Sequence, residues 1–295
     1  MQLATIAFIS VGILFAFRPD CGAQVTKASE KKAANIQAAD GYQLVWADEF
    51  NREGLPDTAY WHFEKGFVRN QEIQWYQQDN AYCKDGFLVI EGRREKRPNP
   101  AYDAGSNNWK KNRKDISYTS SSINTRGRVS WKYGRFIMRG RINISNGLWP
   151  AWWTLGVAGD WPANGEIDIM EYYNNKVLAN VACLGAGKKA EWFSKTKPAD
   201  SLGGAAWAAQ FHVWRMDWDD TAIALYLDNQ LMNSVALSKL DNKDGSGINP
   251  FRQAHYMLLN LAIGGMNGGD PSATVFPNKF EVDYVRVYQK TTDGK

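Results

Sequence analysis

From Gly41 onward the chain is a succession of short apolar runs, and none of them lengthens into a sustained helical period. The runs are Tyr42–Phe50, Phe87–Arg93, Arg128–Ile144, Trp149–Leu155, Glu166–Tyr173, Val177–Leu184, Phe211–Asp217, Ala222–Leu227, Met257–Ile263 and Phe280–Tyr288. Successive side chains of a strand point to opposite faces, so short strands without intervening helices build a core by packing sheet on sheet. Asp228-Asn229, between Leu227 and Leu231, reads as a two-residue hairpin turn. Helical turns are expected only near Ala205–Gln210 and Pro250–His255. The expected fold class is all-β, a β-sandwich, and 295 residues with 44% hydrophobic content supply an ample core.

One run carries chemistry. Gly165-Glu166-Ile167-Asp168-Ile169-Met170-Glu171-Tyr172-Tyr173 places three acids in an apolar strand. Plain alternation puts Glu166 and Asp168 on one face and turns Glu171 to the other. A one-residue bulge at Ile169-Met170 brings all three carboxylates to a single surface. Three like charges so close repel one another, and stability alone gives little reason for them. Two carboxyls a short stretch of strand apart are what a retaining glycosidase needs: one attacks the anomeric carbon, the other protonates the leaving oxygen, and a third can orient the nucleophile. The plain alternative is a solvent-exposed strand that happens to be acidic.

The flanks argue against that alternative. Trp161-Pro162-Ala163-Asn164-Gly165 precedes the acids, and Leu148-Trp149-Pro150-Ala151-Trp152-Trp153 lies upstream. With these residues the chain resembles glycoside hydrolase family 16, in the bulged branch that includes the laminarinases, from about Tyr42 to Tyr288. The resemblance implies a jelly roll with a concave substrate-binding cleft. It also implies Glu166 as nucleophile, Asp168 as its helper and Glu171 as acid/base, an assignment that the residues alone leave open.

By the same resemblance Trp149, Trp153 and Trp161 line sugar subsites, and Asn180, Asn260 and Arg139 bind substrate. Asn70 fits a loop amide at the non-reducing side. In an ideal strand Trp149 and Trp153 share a face and Trp152 takes the opposite one. Family members often bind a structural calcium on the convex side, which points to Asp283 with Glu49 in the first-strand segment; a surface salt bridge is the competing reading. No cofactor is expected for catalysis. Two departures stand out: Ile137 where the family commonly has Glu, and Ala182-Cys183 where laminarinases often carry His. Both bear on which glycan is cut, and the first is expected to weaken a negative subsite.

Outside this domain, assigned to residues 41–290, the apolar run from Leu3 to Phe17 is too short for a membrane span and suits a signal-peptide core. Small residues allow cleavage after Ala23, which makes 1–23 a signal peptide. Cys21 as a lipidated residue is the alternative. Residues 24–40 read as a flexible leader and 291–295 as a C-terminal tail. Export follows as an expectation, to the medium, the periplasm or the cell surface, with no transmembrane segment after processing.

The net charge of +4 is too small to argue for nucleic acid. The abundance of rings, 13 each of Trp, Tyr and Phe, suits a cleft that stacks on pyranose faces. Whether Cys83 and Cys183 pair is open at this point, and His62, His212 and His255 match no zinc spacing. The loop from Lys96 to Asp115, with Lys110, Lys111, Arg113 and Lys114, reads as a solvated basic face, or as a recognition surface for an anionic polysaccharide. The function expected first is a secreted, monomeric, endo-acting and retaining β-glucanase for laminarin-type β-1,3-glucan and mixed-linkage β-1,3-1,4-glucan. The alternatives are an endo-hydrolase of an algal galactan (agar, porphyran or carrageenan), a transglycosylase, or a non-catalytic carbohydrate-binding protein on the same scaffold.

Overall fold

The structure, a computed structural model, describes residues 41–290, so the expected signal peptide, leader, Cys21 and tail lie outside the described residues. Two sheets pack face to face. One has seven strands, in the order β12 (Ala190–Pro198), β11 (Lys176–Leu184), β10 (Glu166–Tyr173), β9 (Leu148–Gly156), β16 (His255–Ile263), β7 (Ser122–Asn124) and β2 (His62–Phe63). The other has ten. Its path runs β15 (Gln230–Ala236), β14 (Ala222–Leu227), β13 (His212–Trp218), β8 (Gly134–Arg141), β17 (Asn278–Lys290), β5 (Phe87–Pro98), β6 (Asp115–Ser120) and β3 (Gln74–Tyr76). Two further strands join it, β1 (Tyr42–Asp48) on β17 and β4 (Ala81–Lys84) on β5. This is a β-sandwich jelly roll.

Strand parity explains the core. In β13, His212, Trp214, Met216 and Trp218 are buried while the residues between them are partly exposed. Trp214, Met216 and Trp218 pack in one cluster with Phe136 and Met138 of β8 and with Trp152, Ile167, Val181 and Leu259 of the facing sheet. Asp228 and Asn229 close the β14–β15 hairpin with φ of 48° and 65°, the left-handed backbone that such a turn requires. The helical segments are short: Gly204–Ala208 near the first expected turn and the 3-10 turn Pro250–Arg252 at the second. Cys83 and Cys183 are both free and buried, so no disulfide joins them. Among the described residues, no helix is long and apolar enough to cross a membrane.

Strands β2, β3, β4, β6, β7 and β12 are missing from the sequence reading, whereas β10 and β14 start and end where it puts them. The basic loop is shorter than expected, because β5 continues to Pro98 and β6 begins at Asp115.

Candidate active site

The acid-bearing strand enters the seven-stranded sheet through Gly165, whose φ is +75°; a Cβ there would stand 2.9 Å from Pro250 and 3.1 Å from the Phe251 ring. Only glycine combines that backbone with that approach. On the β9 side Asp168 pairs with Trp153 while Met170 pairs with Trp152; on the β11 side Asp168 pairs with Asn180 while Glu171 pairs with Leu178. Each register loses one residue, which is a bulge at Ile169-Met170. Ile167, Ile169, Met170 and Tyr172 all pack into the core. Glu166, Asp168, Glu171 and Tyr173 are left on the opposite face, where they line a cleft of about 560 Å³.

The cleft wall holds each carboxylate differently. Trp149 Nε1 donates to Glu171 Oε1 at 2.7 Å, and Trp161 Nε1 donates to Glu166 Oε2. Asn180 Nδ2 reaches two acids, Asp168 Oδ2 at 3.1 Å and Glu171 Oε2 at 2.9 Å. Burial pushes Glu171 up to about 7; the negative charge of Glu166 adds to this, and the bonds from Trp149 and Asn180 oppose it. Asp168 lies well above the carboxylate range, through burial first and then the charges of Glu166 and Glu171. A side-chain hydrogen bond between Asp168 and Glu166 adds to that rise and favours the charge on Glu166. Burial also raises Glu166, but the Asp168 bond, the Trp161 N–H and the positive charge of Arg69 all favour its ionised form. Burial thus raises both glutamates, and they differ in what offsets it: a neighbouring acid, an indole N–H and the charge of Arg69 at Glu166, an indole N–H and an amide at Glu171.

Other expected residues are distributed as follows. Trp153 lines the cleft and donates to Asn260 Oδ1 at 2.7 Å, whose amide in turn donates to the Tyr76 hydroxyl at 3.2 Å. Asn260 therefore anchors Trp153, with both ends of its amide engaged. Trp161 stands at the rim, 52% exposed, and Trp152 is in the core. Asn70 lines the cleft and bonds Glu72.

Arg139 is a correction. It lies on β8 in the ten-stranded sheet, pairs with Asp283 at 2.5 Å and sits 4.5 Å over the Phe211 ring, so it does not line the cleft. The motif match fixed its position in the chain, but β8 buries Phe136, Met138 and Gly140 and turns Arg139 away from the facing sheet. Ile137 shares that outer face, in a small cluster with Tyr42 and Tyr288, so the loss of a glutamate there touches no subsite.

The calcium expectation meets the same obstacle. Asp283 is held by Arg139, and Glu49 by a two-pronged pair with Arg286 at 2.7 Å, so the carboxylates are neutralised separately. Among the described residues no cluster of three or more acidic, His or Cys side chains is arranged to hold a metal. The carboxylates of Asp283 and Glu49 are thus engaged in salt bridges, the competing reading of these two residues.

The sequence reading missed Arg69, Glu72, Tyr173, Trp192, Ser194 and Asn267, which also line the cleft. Tyr173 was readable, two residues beyond Glu171 on the same face. Trp192 is 46% exposed on β12 and in register with Ala182, which is itself in register with Glu166. Arg69 is paired with Glu64 and lies 5.2 Å over the Trp153 ring, and Glu72 accepts a 2.7 Å bond from Gln74.

The profile described as "Glycosyl hydrolases family 16" matches residues 68–286. A β-glucanase of Rhodothermus marinus is 35% identical over 269 residues, which cover 85% of this chain and 86% of that protein. A structure solved in work on endo-acting O-glycanases with which human gut bacteria initiate mucin breakdown superposes with a TM-score of 0.77, at 34% identity, over 86% of this chain and 92% of the other. The laminarinase catalytic domain of Thermotoga maritima superposes with a TM-score of 0.70, at 29% identity, over 86% and 100%.

Proposed function

This chain belongs to glycosyl hydrolase family 16, and from that premise we propose that it is an endo-acting, retaining β-glucanase that cleaves laminarin-type β-1,3-glucan and also mixed-linkage β-1,3-1,4-glucan. The observation that carries this reading is the bulged strand that sets Glu166, Asp168 and Glu171 on one wall of the cleft, each with its own partners. Glu166, whose charge Asp168, Trp161 and Arg69 favour against its burial, attacks the anomeric carbon as the carboxylate and forms a glycosyl-enzyme. Glu171, buried under Trp149 and protonated up to about pH 7, gives its proton to the departing glycosidic oxygen. In the second step Glu171, now ionised, takes a proton from water, and the water oxygen displaces Glu166 with overall retention. No cofactor enters either step.

Trp192 and Ser194 of β12 line the same cleft, and we assign them to the aglycone side. One chain carries the whole constellation, which supports action as a monomer. The apolar run from Leu3 to Phe17 supports export with cleavage after Ala23, with lipidation at Cys21 as the variant.

A second reading, an endo-hydrolase of a different glycan such as a mucin O-glycan or an algal galactan, is favoured by the likeness to the structure from the work on O-glycanases. A purely binding role leaves the acid trio without a purpose. The test is to incubate the protein with laminarin, barley glucan, lichenan, agarose, porphyran and mucin O-glycans, and then to size the products and follow their anomeric configuration. Short gluco-oligosaccharides released first as the β-anomer are expected. Release from porphyran or mucin with laminarin untouched would replace the glucan reading by the second one.

A further inference from the structure

The loop between β5 and β6 is basic, and Lys111 and Lys114 are indeed exposed. Arg113 belongs to a different set of contacts. Its Nη1 donates to the carbonyl oxygen of Glu72 at 2.5 Å and its Nη2 to that of Gln71 at 2.7 Å. The same guanidinium lies 4.9 Å from the Phe67 ring centroid and 5.0 Å from that of Trp109. A planar fork serving two carbonyls and packed against two adjoining rings is an arrangement that lysine cannot reproduce.

Those carbonyls lie in a segment that needs outside support. Asn70 and Gln71 both adopt left-handed backbone, with φ of 55° and 52°. Such conformations are costly for residues with a Cβ and persist only where surroundings hold them. The segment is also held by the Glu72 N–H on the Arg69 carbonyl at 3.1 Å, the Met266 N–H on the Asn70 carbonyl at 2.9 Å, the Ile73 N–H on the Ile263 carbonyl at 3.0 Å, and the side-chain bonds of Arg69 with Glu64 and of Glu72 with Gln74. Arg69, Asn70 and Glu72 are the side chains by which the segment lines the cleft.

The donor is itself held in place. At the base of its loop the buried Asn99 side chain donates to the carbonyls of Lys110 at 3.1 Å and Arg113 at 2.8 Å, and the Asp103 N–H donates to Lys111 at 2.9 Å. Arg113 therefore projects from a braced loop.

We infer that Arg113 is a positioning residue, which fixes the backbone of residues 69–72 and thereby shapes the end of the cleft assigned to the non-reducing side of a long glycan. It touches no substrate itself. The effect on long substrates rests on the glucan reading; the effect on the backbone does not.

The test compares Arg113→Ala and Arg113→Lys with wild type in two measurements. In hydrogen exchange, Arg113→Ala should quicken the amides of residues 70–73 by about tenfold or more while those of β9 and β10 stay as in wild type. With laminari-oligosaccharides of graded length, KM for the long members should rise about tenfold, kcat should stay within about twofold, and turnover of a short aryl glycoside should be unchanged. Arg113→Lys should fall between, because it keeps one bond and the charge. Unchanged exchange at 70–73 overturns the inference. So does faster exchange throughout β9 and β10, or an equal loss of kcat on short and long substrates, since either marks a general loss of structure. If the wild type leaves laminarin intact, the glucan reading falls and the exchange measurement alone decides the role of Arg113.

Discussion

Replacing Trp149 by Phe removes one N–H from the cleft while leaving a ring in its wall. That N–H donates to Glu171 at 2.7 Å, and the two residues are only 6% and 9% exposed, so water has little access to replace it. A hydrogen bond to a charged group in such a place contributes about 1.5–3 kcal/mol, and one pH unit corresponds to about 1.4 kcal/mol. The bond favours the carboxylate over the acid, so its loss raises the pKa of Glu171 above the value of about 7 it has with Trp149 present. Glu171 must be protonated for the first step, so the variant holds its working form to higher pH. The alkaline limb of the kcat/KM profile should move up by about one to two pH units, while the acidic limb, set by Glu166, stays in place.

The assay is kcat/KM on laminarin from about pH 4 to pH 10, with folding checked at each end. Asn180→Ala should shift the same limb in the same direction by less, because Asn180 shares its amide between Asp168 and Glu171. An alkaline limb that stays put in Trp149→Phe, or moves down, would refute the reasoning that Glu171 is the acid and that Trp149 tempers it.

With an activated aryl glycoside, Glu171→Ala should accumulate the glycosyl-enzyme and be rescued by azide as the β-glycosyl azide; an α-linked product would exchange the roles of the two glutamates. Met170 is wholly buried, so Met170→Ala should cost about 2–5 kcal/mol in denaturant unfolding while leaving the register and laminarin cleavage intact. Inserting a residue beside Met170 should abolish soluble yield and activity together, because Glu171 would turn into the core; an active insertion would disprove the bulge. Glu49→Ala should lower stability by about 2 kcal/mol by leaving the buried Arg286 guanidinium unpaired, equally with and without chelator. A loss seen only without chelator would restore Glu49 as a calcium ligand.

Much of this fold was legible because parity is clean where one face is buried and the other is not. Ala222–Leu227 and the acid strand alternate, or break alternation at one point, and the Asp228-Asn229 turn separates apolar neighbours on either side. Strand β12 hid because it is an edge strand with Lys195 and Thr196 exposed, Lys197 half-buried and no apolar face to mark its period. Strands β3 and β7 are three residues each, too short for a period to show. Arg139 was misplaced for a different reason. Its spacing from Ile137 correctly gives a shared face, but which face looks on the cleft depends on the sheet that β8 joins, and that is a long-range fact. Arg69 and Glu72 lie in irregular backbone, where left-handed Asn70 and Gln71 defeat both periods.

The bulge explains why the acids are unequal as well as why they share a face. Because Ile169 and Met170 both go to the core, Glu171 comes back to the cleft one position later than alternation allows, opposite Ala151 on β9. There Trp149 of the same neighbouring strand and Asn180 of β11 enclose it, and its charge is expensive. Glu166 instead begins the strand just after Gly165, beside the exposed Trp161 and within the field of Arg69, which offset part of the cost of burying its charge. Plain alternation without Met170 would keep Glu171 on the same face but draw it nearer Asp168 and change its place beneath Trp149. The extra residue thus sets where the proton donor sits, beneath Trp149 and against Asn180, while Glu166 keeps Trp161 and Arg69 as the partners that favour its charge.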